Sequence, residues 1–135
     1  MRVRQLPFQG QYTVLAACDN RGACTLLSFL NGIAANLQKD SDHMLQLLER
    51  VAQAGPPRND VICHKIQDDI WEFIKGRLRV FWFYDQGRVV VCTHGLVKST
   101  QRTPKSDIER AVHVKELYFL AKEQGNLVIE DDNDG

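Results

Sequence analysis

Two groups of residues in this 135-residue chain have the chemistry to handle a phosphate. One is the run Lys98-Ser99-Thr100-Gln101-Arg102-Thr103-Pro104-Lys105, which gathers cations, hydroxyls and an amide on one short segment. Hydroxyl and amide groups donate hydrogen bonds and the cations neutralise charge, so a surface built from them suits phosphate oxygens. The other is the pair Arg77 and Arg79, two residues apart and therefore on one face of a strand. Guanidiniums grip phosphate through two parallel N–H bonds. Phe81 and Phe83 continue that face, where exposed rings can stack on unpaired bases. His94 precedes Gly95 at the expected end of a following strand, where an exposed imidazole could move protons.

The charge distribution agrees with a focused anion-binding region. From Lys75 to Arg110 eight cations stand against three anions, whereas the whole chain balances at 17 basic and 17 acidic residues. A neutral protein with one basic region concentrates its field there. The plainer alternative is that these charges coat the solvent side of a sheet and that Phe81 and Phe83 turn inward as core.

Strands must position these groups. Ile70 to Tyr84 alternates and is rich in aromatic and β-branched residues, Asp85-Gln86-Gly87 supplies turn chemistry, and a second such run reaches His94, which together predict a hairpin. Leu78, Val80, Trp82 and Tyr84 share the face expected beneath helices, leaving Arg77, Arg79, Phe81 and Phe83 on the open one. In the next strand strict alternation groups His94 with Arg88, Val90 and Cys92, opposite Val89, Val91 and Thr93. Upstream, Phe8 to Cys18 reads as a first strand and Asp19-Asn20-Arg21-Gly22 as a turn. Apolar residues at Leu26, Leu27, Leu30, Ile33, Ala34 and Leu37 predict a helix over 24–37. A second helix is capped by Asp40 or Ser41, buries Met44, Leu45, Leu47, Leu48, Val51 and Ala52, and stops at Gly55-Pro56-Pro57. The two stripes predict an antiparallel helical hairpin on the sheet. Residues 58–67 read as a surface connector in which His64 and Lys65 are the residues to note. Thr103 as cap and Pro104 at the first position start a last helix, which packs through Ile108, Ala111, Val112, Leu117 and Leu120. Residues 126–129 add a short strand. The expected organisation is one domain over 1–129 and an acidic tail without structure over 130–135.

Several classes are disfavoured. No apolar run approaches the ~18 residues of a membrane span, and Met1-Arg2-Val3-Arg4-Gln5 has no apolar segment behind it, so neither a membrane protein nor a secretory signal is expected. The protein is expected in the cytoplasm. Cys18, Cys24, Cys63 and Cys92 form no Cys-x-x-Cys pair, and their spacing with His64 or His94 does not suit zinc, so no metal and no cofactor is expected. Neither a Gly-rich phosphate loop nor a nucleophile elbow points to a small-molecule enzyme.

The string Trp71-Glu72, Gly76-Arg77-Leu78-Arg79-Val80, His94-Gly95, Lys98, Thr100-Gln101-Arg102-Thr103-Pro104 and Ile108-Glu109-Arg110-Ala111 resembles phage-derived HigB-like toxins of the RelE superfamily of toxin–antitoxin systems. The resemblance covers about 70–111 by motif and the upstream part by the order of elements. It implies an α+β RelE-like fold, with a small antiparallel or mixed sheet, a helical hairpin on one face and a C-terminal helix. It further implies a metal-independent, ribosome-dependent endoribonuclease that cuts messenger RNA by 2′-hydroxyl attack and inhibits translation. Arg79 matches the family's strand arginine and is expected to hold the scissile phosphate with Arg77, while Lys98 and His94 move protons or stabilise charge. Thr100, Gln101, Arg102 and Lys105 are expected to bind RNA. By position alone Lys65 and His64 can join that surface, and Phe81 can stack on a base. Implied partners are messenger RNA, the ribosome and a small cognate antitoxin of helix-turn-helix type. The chain departs from the pattern at Ser99, where relatives often carry a second lysine, at Arg102 for lysine, at Leu96 for phenylalanine, and at Phe73-Ile74-Lys75, where an arginine is usual. A non-catalytic RNA- or antitoxin-binding protein on the same fold is the alternative.

Overall fold

The computed structural model describes residues 1–99 and 102–131. The architecture is α+β. Seven strands, β1 (Arg2–Gln5), β2 (Thr13–Ala17), β3 (Cys63–Gln67), β4 (Ile70–Lys75), β5 (Leu78–Asp85), β6 (Val89–Val97) and β7 (Val128–Asp131), form one mixed sheet in the order β3-β4-β5-β6-β2-β1-β7. The β3-β4-β5-β6 half is an antiparallel meander. β2 joins β6 in parallel, and β7 closes the other edge in parallel with β1. Three helices, α1 (Thr25–Asn31), α2 (Gln38–Ala54) and α3 (Lys105–Glu123), cover the sheet on both sides.

Glycine splits the long aromatic run. Gly76 has φ of 56°, a left-handed conformation that side chains with a Cβ resist. The chain therefore reverses at Gly76-Arg77 and makes β4 and β5 from one alternating stretch. The Asp40 carboxylate of α2 lies against this turn and accepts the Arg77 N–H at 3.4 Å. Asp40 thus braces a hairpin instead of capping a helix, since α2 already starts at Gln38. The expected connector contains β3. Its turn into β4 is made by Asp68 and Asp69, both at positive φ (52° and 60°), the signature of a type I′ hairpin. Aspartate tolerates that conformation better than most residues, which is the sequence signal for β3.

The first predicted helix is shorter than its stripe. α1 ends at Asn31, and a 3₁₀ turn over Ala35–Leu37 leads into α2. Met44, Leu47, Leu48, Val51 and Ala52 of α2 are buried with Leu26 and Leu30 of α1 against Val14, Ala16, Phe73, Leu78, Val80, Trp82, Val90 and Cys92. The Trp82 indole lies between the rings of Trp71 and Phe73, at centroid distances of 5.3 and 4.8 Å. Its Nε1–H is buried with no acceptor among the described residues. An unpaired buried donor costs about 1–3 kcal/mol, which offsets part of what the larger ring contributes. Trp82→Phe is accordingly expected to change unfolding free energy by about 1 kcal/mol or less, against a loss of about 3–5 kcal/mol for Trp82→Ala. Denaturant unfolding monitored by circular dichroism checks both.

The second core overturns an expectation. The face of β5 carrying Phe81 and Phe83 is not open, because α3 lies across it. Both phenylalanines are fully buried with Val3, Leu15, Ile70, Val91, Ala111 and Tyr118. The middle of β5 is thus buried on both sides; Arg79 near its start is half-buried, and Tyr84 near its end, expected beneath the helices, is exposed. Leu117 and Leu120, expected to pack against the body, stay 43% and 48% exposed, while Ala111, Tyr118 and Ala121 face the sheet. β7 extends to Asp131, two residues into the expected acidic tail, and Glu130 pairs with Arg2 at 2.6 Å. Residues 132–135 lie outside the described residues.

Candidate nucleic-acid interface

Beneath the first turn of α3 the strand register sets His64, Glu72, Phe81 and His94 side by side across β3, β4, β5 and β6. Directly paired residues point to one face, and neighbouring strands are ~4.8 Å apart. This row therefore brings two imidazoles and a carboxylate onto the side that α3 covers.

Glu72 is 1% exposed. A carboxylate so deeply buried has to be paired. One oxygen faces His64 Nε2 at 3.0 Å, and the other faces the Thr103 hydroxyl at 3.5 Å. Thr103 is therefore not the cap of α3. Pro104 holds the cap position without a side-chain hydrogen bond, and Thr103 turns back towards the sheet. Through it Glu72 fastens the segment that links β6 to α3.

His94 does not lie exposed at the strand end. It is 2% exposed, with its ring 4.9 Å from that of Phe81. A bulge explains the difference. Phe81 pairs with His94 and Trp82 with Cys92, so Thr93 is the extra residue and His94 is moved from the Cys92 face to the α3 face. Its Nε2 lies 3.0 Å from Asp107 Oδ1, and its Nδ1 lies 3.0 Å from the Thr93 hydroxyl. A carboxylate requires a donor, so Nε2 carries the hydrogen and Nδ1 accepts from Thr93. Burial holds the ring below its ordinary pKa of 6.5, with Arg110 adding to the depression; the Asp107 hydrogen bond opposes it. His94 is thus a neutral post that ties α3 to β6.

The sign of the resulting pH effect follows from linkage. The unfolded chain takes up a proton at higher pH than the folded one, so stability falls as pH drops below about 6.5 and levels off below the depressed folded pKa. Melting curves between pH 7.5 and 5 are expected to show that loss, and His94→Gln is expected to flatten it.

The candidate cations gather at the end of the β5–β6 ladder. The Lys98 N–H donates to the Arg77 carbonyl at 2.7 Å, and Arg77 Nε returns a bond to the Lys98 carbonyl at 3.4 Å. Arg79, opposite Leu96, donates from one terminal nitrogen to the carbonyls of Gly76 (2.8 Å) and Leu78 (2.9 Å). Arg77 is exposed, and Arg79 and Lys98 are half-buried. Gly95 lets this end close up, because a Cβ there would stand 2.7 Å from the Phe29 ring. Arg102 and Lys105 are exposed just beyond, Lys105 at 3.9 Å from Glu109. Thr100 and Gln101 lie outside the described residues. Phe81 is sealed in the core and cannot present its ring to a base. Lys65 is engaged with Asp69 at 2.8 Å in the β3–β4 turn, and its neighbour His64 is the residue that reaches the row.

Sequence reasoning missed a second buried carboxylate. Asp85, read as a turn residue, is 3% exposed at the end of β5. It accepts the Tyr118 hydroxyl at 2.6 Å and Lys122 Nζ at 2.8 and 2.9 Å. Burial, then this carboxylate, raises the tyrosine's pKa. Burial pushes the Cys18 and Cys63 thiols up to about 11. Among the described residues no group of histidine, cysteine and carboxylate is arranged to hold a metal ion. No helix there is long and apolar enough to cross a membrane.

Fold and site together give an α+β domain, consistent with a RelE-like fold, with a cationic ladder end beside the start of its C-terminal helix. The family model described as phage-derived protein Gp49-like (DUF891) matches residues 33–116, more than half of the chain. The chain belongs to this phage-derived Gp49-like family. The matched span starts just past α1, runs into α3 and contains the whole row and the ladder end. No curated protein matches the sequence.

Proposed function

We propose that the protein is the toxin of a type II toxin–antitoxin system, a HigB-like endoribonuclease that cuts messenger RNA on the ribosome without a metal. The observation that carries this reading is the gathering of Arg77, Arg79 and Lys98 at one exposed ladder end. Membership in the Gp49-like family supports it. The 2′-oxygen attacks the adjacent phosphorus in line, the bond to the 5′-oxygen breaks, and a cyclic phosphate and a 5′-hydroxyl result. The chain must orient the ribose–phosphate linkage, neutralise charge on the pentacoordinate phosphorus and handle protons. Arg79 is suited to the central task. Its guanidinium is half-buried, and the Gly76 and Leu78 carbonyls hold one terminal nitrogen and so fix its orientation. Arg77 and Lys98 flank it, and Arg102 and Lys105 hold more distant phosphates. A small helix-turn-helix antitoxin covering this end is the partner that fits the reading.

The burial of His94 and Phe81 favours one second reading, an RNA- or antitoxin-binding protein without turnover. Incubating the purified protein with translating ribosomes and mapping RNA 5′ ends separates the two. New 5′-hydroxyl ends support the nuclease. Salt-dependent RNA binding without new ends supports the binding protein.

A further inference from the structure

Away from the ladder end, the sheet carries an aromatic surface that RNA cleavage does not use. α2 ends at Ala54, and beyond it Tyr12, Trp71 and Tyr84 border a cleft of about 460 Å³. Small-ligand sites have this size. Trp71 stacks on Trp82 and meets Tyr84 edge-on at 6.0 Å. Trp71 is half-buried and Tyr84 is 38% exposed, so ring surface reaches solvent. The third ring is fixed by α2. The Tyr12 N–H donates to the Ala52 carbonyl at 2.8 Å, and a Cβ at Gly55 would stand 2.7 Å from the Tyr12 ring. Packing has thus already ordered these rings, and a flat ligand among them has little side-chain freedom left to remove.

Two opposite charges border the same cleft. Arg58 and Asp60 are exposed, and neither side chain has an ion-pair or hydrogen-bond partner among the described residues. Their segment is tied down next door, where the Ile62 and Cys63 N–H groups donate to the Asn59 carbonyl at 3.0 and 2.8 Å. An ionised carboxylate only accepts hydrogen bonds and a guanidinium only donates them. The cleft therefore combines stacking surface, one acceptor pair and one phosphate-binding group.

That combination selects its ligand. Three rings would suit a quaternary ammonium, but Arg58 borders the cleft and Arg88 stands 6.0 Å from the centre of the Tyr12 ring, and both repel a cation. A nucleobase is flat and uncharged, and stacks on such rings. Guanine alone among the RNA bases puts two adjacent donors, N1–H and N2–H, on its Watson–Crick edge, and these match the two oxygens of one carboxylate. Adenine and cytosine set one donor beside an acceptor, and uracil sets one donor between two acceptors.

We propose that this cleft binds a guanine nucleotide, with Trp71 and Tyr84 against the base, Asp60 on its Watson–Crick edge and Arg58 on its phosphate. Tyr84 lies six residues along β5 from Leu78, ~20 Å from the ladder end. The site is thus separate from the cations of the ladder end, and it holds whether or not the protein cuts RNA.

Trp82→Phe makes Trp71 the only indole in the chain and so a reporter for the cleft. In that protein guanosine 5′-monophosphate (GMP) is expected to quench the fluorescence saturably, with an affinity about tenfold higher than that of AMP or CMP. Adding Tyr84→Ala is expected to weaken GMP about tenfold. Asp60→Asn is expected to abolish the preference for GMP over AMP without weakening AMP. Arg58→Gln is expected to weaken GMP and leave guanosine unchanged. Circular dichroism establishes that each variant is folded. A short uridine RNA with one central guanosine, compared with the same RNA carrying adenosine there, identifies the source. Tighter binding of the guanosine RNA than of GMP assigns the cleft to an RNA strand; binding no tighter assigns it to the free nucleotide. The proposal is wrong if neither GMP nor the guanosine RNA quenches Trp71 saturably, if GMP and AMP bind alike, or if Asp60→Asn keeps the preference for GMP.

Discussion

Arg79→Ala is expected to lower the rate of RNA cleavage about 10²–10³-fold, the usual cost of removing one well-placed donor from a developing oxyanion. Arg79 is the guanidinium with one terminal nitrogen fixed by the Gly76 and Leu78 carbonyls and with Nε buried. Its backbone is held by the ladder on both sides, through Ile74 and Leu96, so truncation leaves the strand in place. Arg79→Lys sharpens the test. Lysine keeps the charge but lacks the planar fork. It is expected to preserve the salt dependence of RNA binding, which counts neutralised phosphates, while recovering little of the rate. Mapping 5′ ends after reaction with programmed ribosomes measures the rate, and binding titrations at several salt concentrations measure the charge. A folded Arg79→Ala protein that cuts at the wild-type rate removes this residue from the mechanism.

Asp85→Ala is expected to cost about 3 kcal/mol of stability, seen as a melting temperature lower by roughly 10 °C. The carboxylate accepts three hydrogen bonds from α3, and its removal leaves the buried Tyr118 hydroxyl without an acceptor. Lys122 is 41% exposed at its side chain and can turn to water, so the loss stays below the upper range for a buried pair. Tyr118→Phe removes one hydroxyl and leaves Asp85 with Lys122, and is expected to cost about 1 kcal/mol. Because Asp85 pins the second half of α3 and His94–Asp107 pins the first, loosening Asp85 frees the helix at one end only. Amide exchange in Asp85→Ala is expected to rise in the last turns of α3 more than around Asp107. A melting temperature within 2 °C of wild type, about 0.5 kcal/mol, would show that α3 is held by its apolar contacts alone.

How far the site could be read from the chain differs from residue to residue. The helical stripe of α2 carried its own burial pattern, and Met44, Leu47, Leu48, Val51 and Ala52 are buried as their spacing predicts. The cations of the β5–β6 end were legible because Arg77 and Arg79 alternate on a strand and Lys98 continues the neighbouring one. His94 was misread because alternation holds only while the ladder is regular, and a single extra residue at Thr93 exchanged its faces. Phe81 was misread because period two says which residues share a face, not whether another element covers it. Glu72 was noted only as part of the Trp71-Glu72 motif and given no role, since burial of a carboxylate is a property of its surroundings.

The sequence by itself determined a hairpin of aromatic strands, the buried stripe of α2 and the local excess of positive charge, all of which follow from patterns within a few residues. Only the tertiary structure decided which polar groups are sealed in and which reach water. The laying of α3 across the sheet sets Asp107 on His94, Thr103 on Glu72, and Tyr118 and Lys122 on Asp85, the last two from 33 and 37 residues away. Pairs so distant leave no periodic trace along the chain, because the packing of one element on another brings them together.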